Sequence, residues 1–493
     1  MKNPLRRTRS DSKSSYSAQK DAMQAPEPTT FIIFGVTGNL ARTRLLPALY
    51  HLLKDNLLHK DTVIIGISRR ELSADELINE VELCVLENDK ACDPVVLQEF
   101  KQHLRTFRLD PLKATDYRRL GSELDSIETE KGMCMSRLFY LSIPPQVYEP
   151  VIENLGRSGL SKGCNHPGGQ TRLLVEKPFG YDLSSATELI ESTKRYFMEE
   201  QLFRIDHYLA KETVQNILVF RKHNPLFADL WSSRCVSAIN LIFHEQIGIN
   251  GRGEFYDNIG ALRDVVQNHL MQLLTLATLE LPASLHDSNA LHRAKEQLLT
   301  SIKPVDLRTA GVQRGQYRGY RDEVSKPRST TETFTSLSLA IDNKRWQGVP
   351  VHISAGKALK AKQVSLTMVF GSESAGTNAL TFRIQPNEGI DVEVAAKRPG
   401  FESAIERVHM DFSYRGVFAE PEHPDAYERV LVDAIKGDHT LFATSREVLE
   451  SWRILQPILD AWEIRANDLF TYERGTDDPV VESTEQADVK TKT

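Results

Sequence analysis

The first clear hydrophobic pattern is Phe31-Ile32-Ile33-Phe34, an unbroken apolar run that stops at Gly35. A run of this length, closed by a turn residue, predicts a strand buried on both faces, as in a parallel sheet. From Arg42 to Leu53 the period changes, and Leu45, Leu46, Leu49 and Leu52 recur at helical spacing. Val63-Ile64-Ile65-Gly66, Leu138-Phe139-Tyr140-Leu141-Ser142-Ile143 and Leu173-Leu174-Val175-Glu176 return to the strand pattern. Strand, helix and strand in this order predict an α/β unit of the Rossmann type.

Further along, the pattern belongs to a different architecture. Between Ala261 and Leu281, residues Leu262, Val265, Val266, Leu270, Leu273, Leu274 and Ala277 form one stripe at three-four spacing, which predicts a helix. His269 falls inside that stripe, either in the core or in a cleft wall. At 100° per residue, Asp264 lies about 140° round such a helix from His269, so the two do not share a face. Alternating apolar and polar residues at Ser237–Phe243, Phe334–Phe370 and Ala379–Ala396 predict strands of an α+β second domain. The expected division is a polar extension over 1–29, a dinucleotide-binding domain over 30–205, a second domain over 206–474 and a polar tail over 475–493. Both ends lack the large apolar groups that a packed core needs.

Composition narrows the function. A chain of 493 residues with 40% apolar and 26% charged positions has room for two or three domains with cores of their own. A net charge of −6 argues against a general nucleic-acid binder, which needs a basic face to displace counterions. Any attraction for an anionic substrate must be local. The five cysteines, Cys84, Cys92, Cys134, Cys164 and Cys235, are scattered and contain no CxxC pair. They suggest neither structural zinc nor a disulfide framework, and so a reducing, cytoplasmic setting. The Arg- and Ser-rich start has some features of an organelle transit peptide, but Asp11 and Asp21 interrupt it. No apolar run approaches the ~18 residues of a membrane-spanning helix.

Candidate chemistry begins at the turn Gly35-Val36-Thr37-Gly38-Asn39-Leu40-Ala41, of the form GxxGxxA, between the first strand and its helix. Small residues there let the backbone approach a pyrophosphate at the helix N-terminus. The second strand runs into Ser68-Arg69-Arg70 with no acidic residue. An acid at that place would bind the ribose 2′-hydroxyl of NAD, whereas arginine suits the 2′-phosphate of NADP. A second concentration of polar groups is Arg204-Ile205-Asp206-His207-Tyr208-Leu209-Ala210-Lys211-Glu212. Whether this segment is strand or helix, His207 and Lys211 share a side, which suits a phosphate. His269 needs a carboxylate from another segment, and Asp206 is the candidate.

RIDHYLAKE resembles the active-site signature of glucose-6-phosphate dehydrogenases, differing from the common form only at Ala210. Other motifs of that family follow in order: EKPFG at Glu176–Gly180, Gly251–Leu270, GKAL at Gly356–Leu359 and Asp425–Arg429, within a resemblance spanning Phe31 to about residue 466. Asn39, where many members carry Asp, is a further departure. The resemblance implies oxidation of glucose 6-phosphate to 6-phosphogluconolactone with NADP. It also implies self-association as a dimer or tetramer through a large, mostly antiparallel sheet. It assigns the base to His269 with Asp206, and the phosphate to His207, Tyr208 and Lys211. Other substrate contacts would come from Lys177, Glu245, Asp264, Lys357 and Lys362. Cofactor contacts would come from Gly35, Thr37, Gly38, Asn39, Leu40, Arg69, Pro144 and Lys177, with a cis peptide before Pro178. No metal is expected. Gln363, where a basic residue would help to hold a second dinucleotide, argues against such a site. A sugar-phosphate dehydrogenase of broader range and a dinucleotide sensor are the rival readings.

Overall fold

The computed structural model describes residues 27–87, 92–164, 169–308, 311–372, 376–418, 425–464 and 468–479. In chain order the strands are β1 (Thr29–Phe34), β2 (Val63–Ser68), β3 (Leu104–Arg108), β4 (Ser136–Leu141), β5 (Thr171–Glu176), β6 (Leu202–Ile205), β7 (Val236–His244) and β8 (Gln313–Tyr317). They continue with β9 (Phe334–Ala340), β10 (Pro350–Gly356), β11 (Gln363–Ser372), β12 (Gly376–Gln385), β13 (Gly389–Lys397), β14 (Ile405–Ser413), β15 (Phe442–Ala443) and β16 (Leu469–Tyr472).

The first sheet has the order β15-β6-β5-β4-β1-β2-β3. Strands β1 to β6 are parallel and follow the doubly wound 3-2-1-4-5-6 order. Every residue of β1, β2 and β4 is buried, which explains their unbroken apolar runs. β15 adds to the outer edge of β6 in antiparallel sense, pairing Phe442 with Ile205. A late segment of the chain therefore completes the early sheet.

The second sheet has the order β14-β13-β12-β11-β7-β10-β9-β8-β16. Its pairings are antiparallel except β7 with β10 and β8 with β16. The β7–β10 exception matters for function. Register pairs His244 with Gly356, so the chain leaves both strands at the same end, into Glu245 and Lys357. Across the molecule, β5 and β6 likewise leave their sheet side by side into Lys177 and Asp206.

Three expectations need correction. Thr29 belongs to β1 and is buried, so the extension stops short of residue 29; residues 1–26 of that stretch lie outside those described. The first residues of the expected tail are tied down: Thr476 bridges Leu359, and Lys360 N–H donates to Thr476 O at 2.9 Å. Residues 480–493 lie outside those described. Cys134 and Cys164 form a disulfide, with Cα atoms 6.3 Å apart. They precede β4 and β5, neighbouring parallel strands, so adjacent strand starts meet although 30 residues separate them in sequence. Cysteine usage therefore carries no argument for a reducing compartment. Among the described residues, no helix is long and apolar enough to cross a membrane.

Candidate active site

The dinucleotide side is built by the carboxyl ends of β1, β2 and β4. Gly35 leaves β1 at φ +77°, and a side chain there would collide with Ser142 O. Only glycine tolerates both the angle and the approach. Gly38 N–H closes the turn on Gly35 O at 2.8 Å, and Arg42 N–H follows on Gly38 O. Beside this turn lies a cavity of about 440 Å³ lined by Gly35, Thr37, Gly38, Arg69 and Pro144, among others. It stands at the β1/β4 switch point, where doubly wound sheets bind nucleotides. Asn39 and Leu40 are not among its lining residues; Asn39 O accepts from Thr43 Oγ1. Arg70 pairs with Glu76 at 2.9 Å, while Arg69 is exposed with no ion pair among the described residues. The Ser68 hydroxyl donates to Arg70 O, so it shapes this turn. Glycine turn, cavity and free guanidinium together fit an NADP-type dinucleotide.

The segment after β6 is neither strand nor helix at first. Asp206 Oδ1 accepts from Tyr208 N–H at 3.0 Å, and Asp206 O accepts from Leu209 N–H, making consecutive turns. The following helix starts only at Glu212. These turns aim Asp206 at His269: Oδ1 lies 2.6 Å from His269 Nδ1, with both residues buried. Lys177 Nζ lies 3.1 Å from the other nitrogen, Nε2, and also donates to Asp264 O at 2.7 Å and Asp264 Oδ1 at 3.3 Å. That geometry assigns the imidazole tautomer: Nδ1 carries the proton for Asp206, and Nε2 keeps its lone pair. The peptide between Lys177 and Pro178 is cis, as the resemblance implied.

Asp264 reaches this cluster because Leu262–Leu270 is a π-helix. The apolar stripe predicted an α-helix with Asp264 and His269 on different faces. With hydrogen bonds running from i to i+5, residues five apart stand one turn above each other. Asp264 and His269 therefore face the same ammonium. Asp264 Oδ2 lies 3.5 Å from Lys357 Nζ, which also contacts Glu245. A continuous chain of polar contacts results: Asp206, His269, Lys177, Asp264, Lys357, Glu245.

Electrostatics follow the geometry. Burial alone would raise the Asp206 carboxyl, but His269 and neighbouring cations hold it down at about 2. Burial lowers His269 below the usual histidine value, against the pull of Asp206. Burial, joined by the charges of His269 and Lys177, lowers His207 to about 3. Asp264 is half-buried, which would raise it, yet Lys177 and Lys357 keep it at about 2. Both imidazoles thus favour the neutral form, beside two carboxylates, Asp206 and Asp264, that favour the ionised one.

The expected phosphate residues lie to one side. The His207 ring meets that of His269 edge-on at 4.9 Å and stacks on Tyr427 at 6.2 Å. Lys211 Nζ lies 5.2 Å above the Tyr208 ring, and burial lowers its pKa, with Lys362 and Arg44 adding like charge. Lys362 itself is exposed. Sequence reasoning gave no role to Gln385, whose Oε1 accepts from Tyr208 O–H at 3.3 Å, or to Tyr427. Gln385 precedes the only other cis proline among the described residues, Pro386, and that Gln-Pro at a strand end was the available signal. Ligand atoms of Asp206, His207 and His269 lie within 4.8 Å of one another. The Lys177 ammonium already holds the cationic place beside His269, which disfavours a metal there.

Comparison with known proteins identifies both halves of the chain. Residues 32–216 match the family model "Glucose-6-phosphate dehydrogenase, NAD binding domain", and residues 218–491 match "Glucose-6-phosphate dehydrogenase, C-terminal domain". Glucose-6-phosphate 1-dehydrogenase 2 of Mycobacterium tuberculosis is 38% identical over 476 residues, 91% of each chain. The chloroplastic glucose-6-phosphate 1-dehydrogenase of Spinacia oleracea is 36% identical over 90% of this chain and 81% of its own. A solved glucose-6-phosphate dehydrogenase in complex with its substrate glucose-6-phosphate superposes with a TM-score of 0.85 at 33% identity, covering 94% of this chain and 97% of that one. With both halves matched and relatives similar over most of its length, the chain belongs to the glucose-6-phosphate dehydrogenase family.

Proposed function

We propose that this protein oxidises glucose 6-phosphate to 6-phosphogluconolactone with NADP, the entry reaction of the oxidative pentose phosphate pathway. The observation that carries the reading is the Asp206–His269–Lys177 line, a base with an oriented tautomer and a cation beside its free nitrogen. His269 Nε2 takes the proton of the C1 hydroxyl while Nδ1–H stays on Asp206. Asp206 stabilises the imidazolium that forms. Lys177 lies beside the oxygen losing its proton and stabilises the developing negative charge. The C1–H bond then breaks, and C1=O forms as its electron pair leaves. The chemistry NADP supplies when bound is acceptance of that hydride.

Around this centre, Glu245, Asp264 and Lys357 hold sugar hydroxyls, and carboxylates suit that task because each accepts several hydrogen bonds. His207, Tyr208 and Lys211 hold the phosphate, with Lys362 adding positive charge. Gly35, Thr37, Gly38, Arg69 and Pro144 bind the dinucleotide, and Arg69 selects its 2′-phosphate. We further propose self-association through the β14 edge. Ile405, Val408 and Met410 on β14 are exposed, as are Phe401, Val417 and Phe418 nearby. An uncovered apolar sheet edge is a surface that a second copy would bury.

The test is direct. The purified protein mixed with glucose 6-phosphate and NADP should raise absorbance at the NADPH band, and free glucose should be a far poorer substrate. No absorbance change with either NADP or NAD would contradict the reading.

A further inference from the structure

The π-helix that carries Asp264 and His269 begins at a buried carboxylate that the reaction itself does not use. Glu332 is 3% exposed, and its Oε1 accepts from Leu262 N–H, the first residue of that helix, at 3.0 Å. Its backbone oxygen accepts from Ala261 N–H at 3.1 Å and from Tyr256 O–H at 3.4 Å. Gly260, at φ +73°, lies directly against the carboxylate, and a side chain there would collide with it. The next residue extends the same anchor. Thr333 O accepts from Lys357 N–H at 2.9 Å, and Tyr472 O–H donates to Lys357 O at 2.7 Å. One short segment before β9 thus fixes the start of the π-helix and the turn bearing Lys357.

The register of this helix decides the site. In π form Asp264 and His269 share Lys177; in α form they would diverge by about 140°. A π-helix needs outside support, since such helices occur mostly as single-turn insertions. A carboxylate at a helix N-terminus supplies an acceptor for an otherwise orphan N–H, in a favourable direction along the helix dipole. We propose that Glu332 is a positioning residue that locks the π register of Leu262–Leu270, and so sets His269 against Asp206 and Lys177. Its catalytic consequence rests on the base assigned above; its effect on His269 does not.

Three variants separate the lock from simple packing. Glu332→Gln keeps an acceptor of the same length, Glu332→Asp withdraws it by one methylene, and Glu332→Ala removes it. The expected kcat order is wild type and Glu332→Gln, then Glu332→Asp, then Glu332→Ala, with a loss of about tenfold or more at the end of the series. Kd for NADP should change little, because Glu332 does not touch the glycine turn, whereas KM for glucose 6-phosphate should rise along the same series, because Asp264 rides on the same helix. Proton NMR of the holoprotein supplies a readout that needs no turnover. The downfield Nδ1–H resonance of His269 on Asp206 should persist in Glu332→Gln and be lost or shifted in Glu332→Asp. Folded Glu332→Asp and Glu332→Ala with wild-type kcat and an unmoved resonance would overturn the proposal. Should Glu332→Ala fail to fold, the Gln and Asp pair decides alone. A moved resonance without any glucose 6-phosphate oxidation by the wild type would instead count against the function.

Discussion

Asp264 and His269, five residues apart on one helix, contact the same ammonium group, that of Lys177. The π-helix makes this possible, and it places an ionised carboxylate one turn from the imidazole that must take a proton. On the proposed mechanism Lys177 has two tasks, compensating Asp264 and standing beside the reacting oxygen. Replacing it with Gln keeps hydrogen bonding but removes the charge. Lys177→Gln should lower kcat by roughly 10²-fold or more, the scale of one lost electrostatic stabiliser. Steady-state kinetics with Kd for substrate measured separately would check this, and unchanged kcat would remove Lys177 from the transition state.

The proposed cofactor choice lies at the end of β2. Arg69 is exposed beside the cavity, whereas Arg70 is paired with Glu76. Arg69→Ala should weaken NADP roughly ten- to hundredfold, the range of a charge-assisted hydrogen bond, with NAD nearly unchanged. Arg70→Ala should affect both cofactors little. Equal losses of NADP and NAD in Arg69→Ala would show that the residue only supports the fold.

Lys211 tests the phosphate. Lys211→Ala should raise KM for glucose 6-phosphate strongly and leave the weak reaction with free glucose much closer to its starting value. The ratio of kcat/KM for the two sugars is the readout. A constant ratio would take Lys211 out of the phosphate site.

The pH profile carries its own sign. Burial lowers His269, so its neutral, proton-accepting form persists below the usual histidine value near 6.5. The acid limb of kcat/KM should therefore fall below pH 6.5. The Asp206 charge raises His269 against that burial, so Asp206→Asn should move the limb still lower while slowing turnover. Stability follows the same logic. His207 is depressed to about 3 by burial, so the unfolded chain binds its proton first as pH falls from about 6.5. Stability should decline through that window, and Tm of His207→Gln should decline less steeply.

Much of this site was legible from residue order. The apolar runs at β1, β2, β4 and β5 are strands because both faces of that sheet are covered, and Gly35 is required at a close approach. Asp206 as the partner of His269 followed from the absence of a same-face carboxylate on an ideal helix. Asp206 does lie against His269, but one premise of that reading fails, since Asp264 reaches the same cluster. Hydrophobic periodicity cannot separate α from π register over nine residues, because the buried stripe satisfies both. Cys134 with Cys164, β15 on β6 and Glu332 under Leu262 are long-range pairings. Each depends on which strand lies beside which, and no local pattern encodes that.

The most direct test of the central claim is His269→Asn. The amide has hydrogen-bonding groups but accepts no proton at neutral pH. Turnover should fall by at least the ~10²–10⁴-fold of a lost general base, with Kd for glucose 6-phosphate largely kept. Combined with Asp206→Asn, the loss should be less than additive, because the two act as one unit. Measuring kcat, substrate Kd and Tm on the same samples separates chemistry from folding. A large drop in kcat with Kd and Tm near wild type is the predicted result. Near-normal kcat in folded His269→Asn would contradict the account.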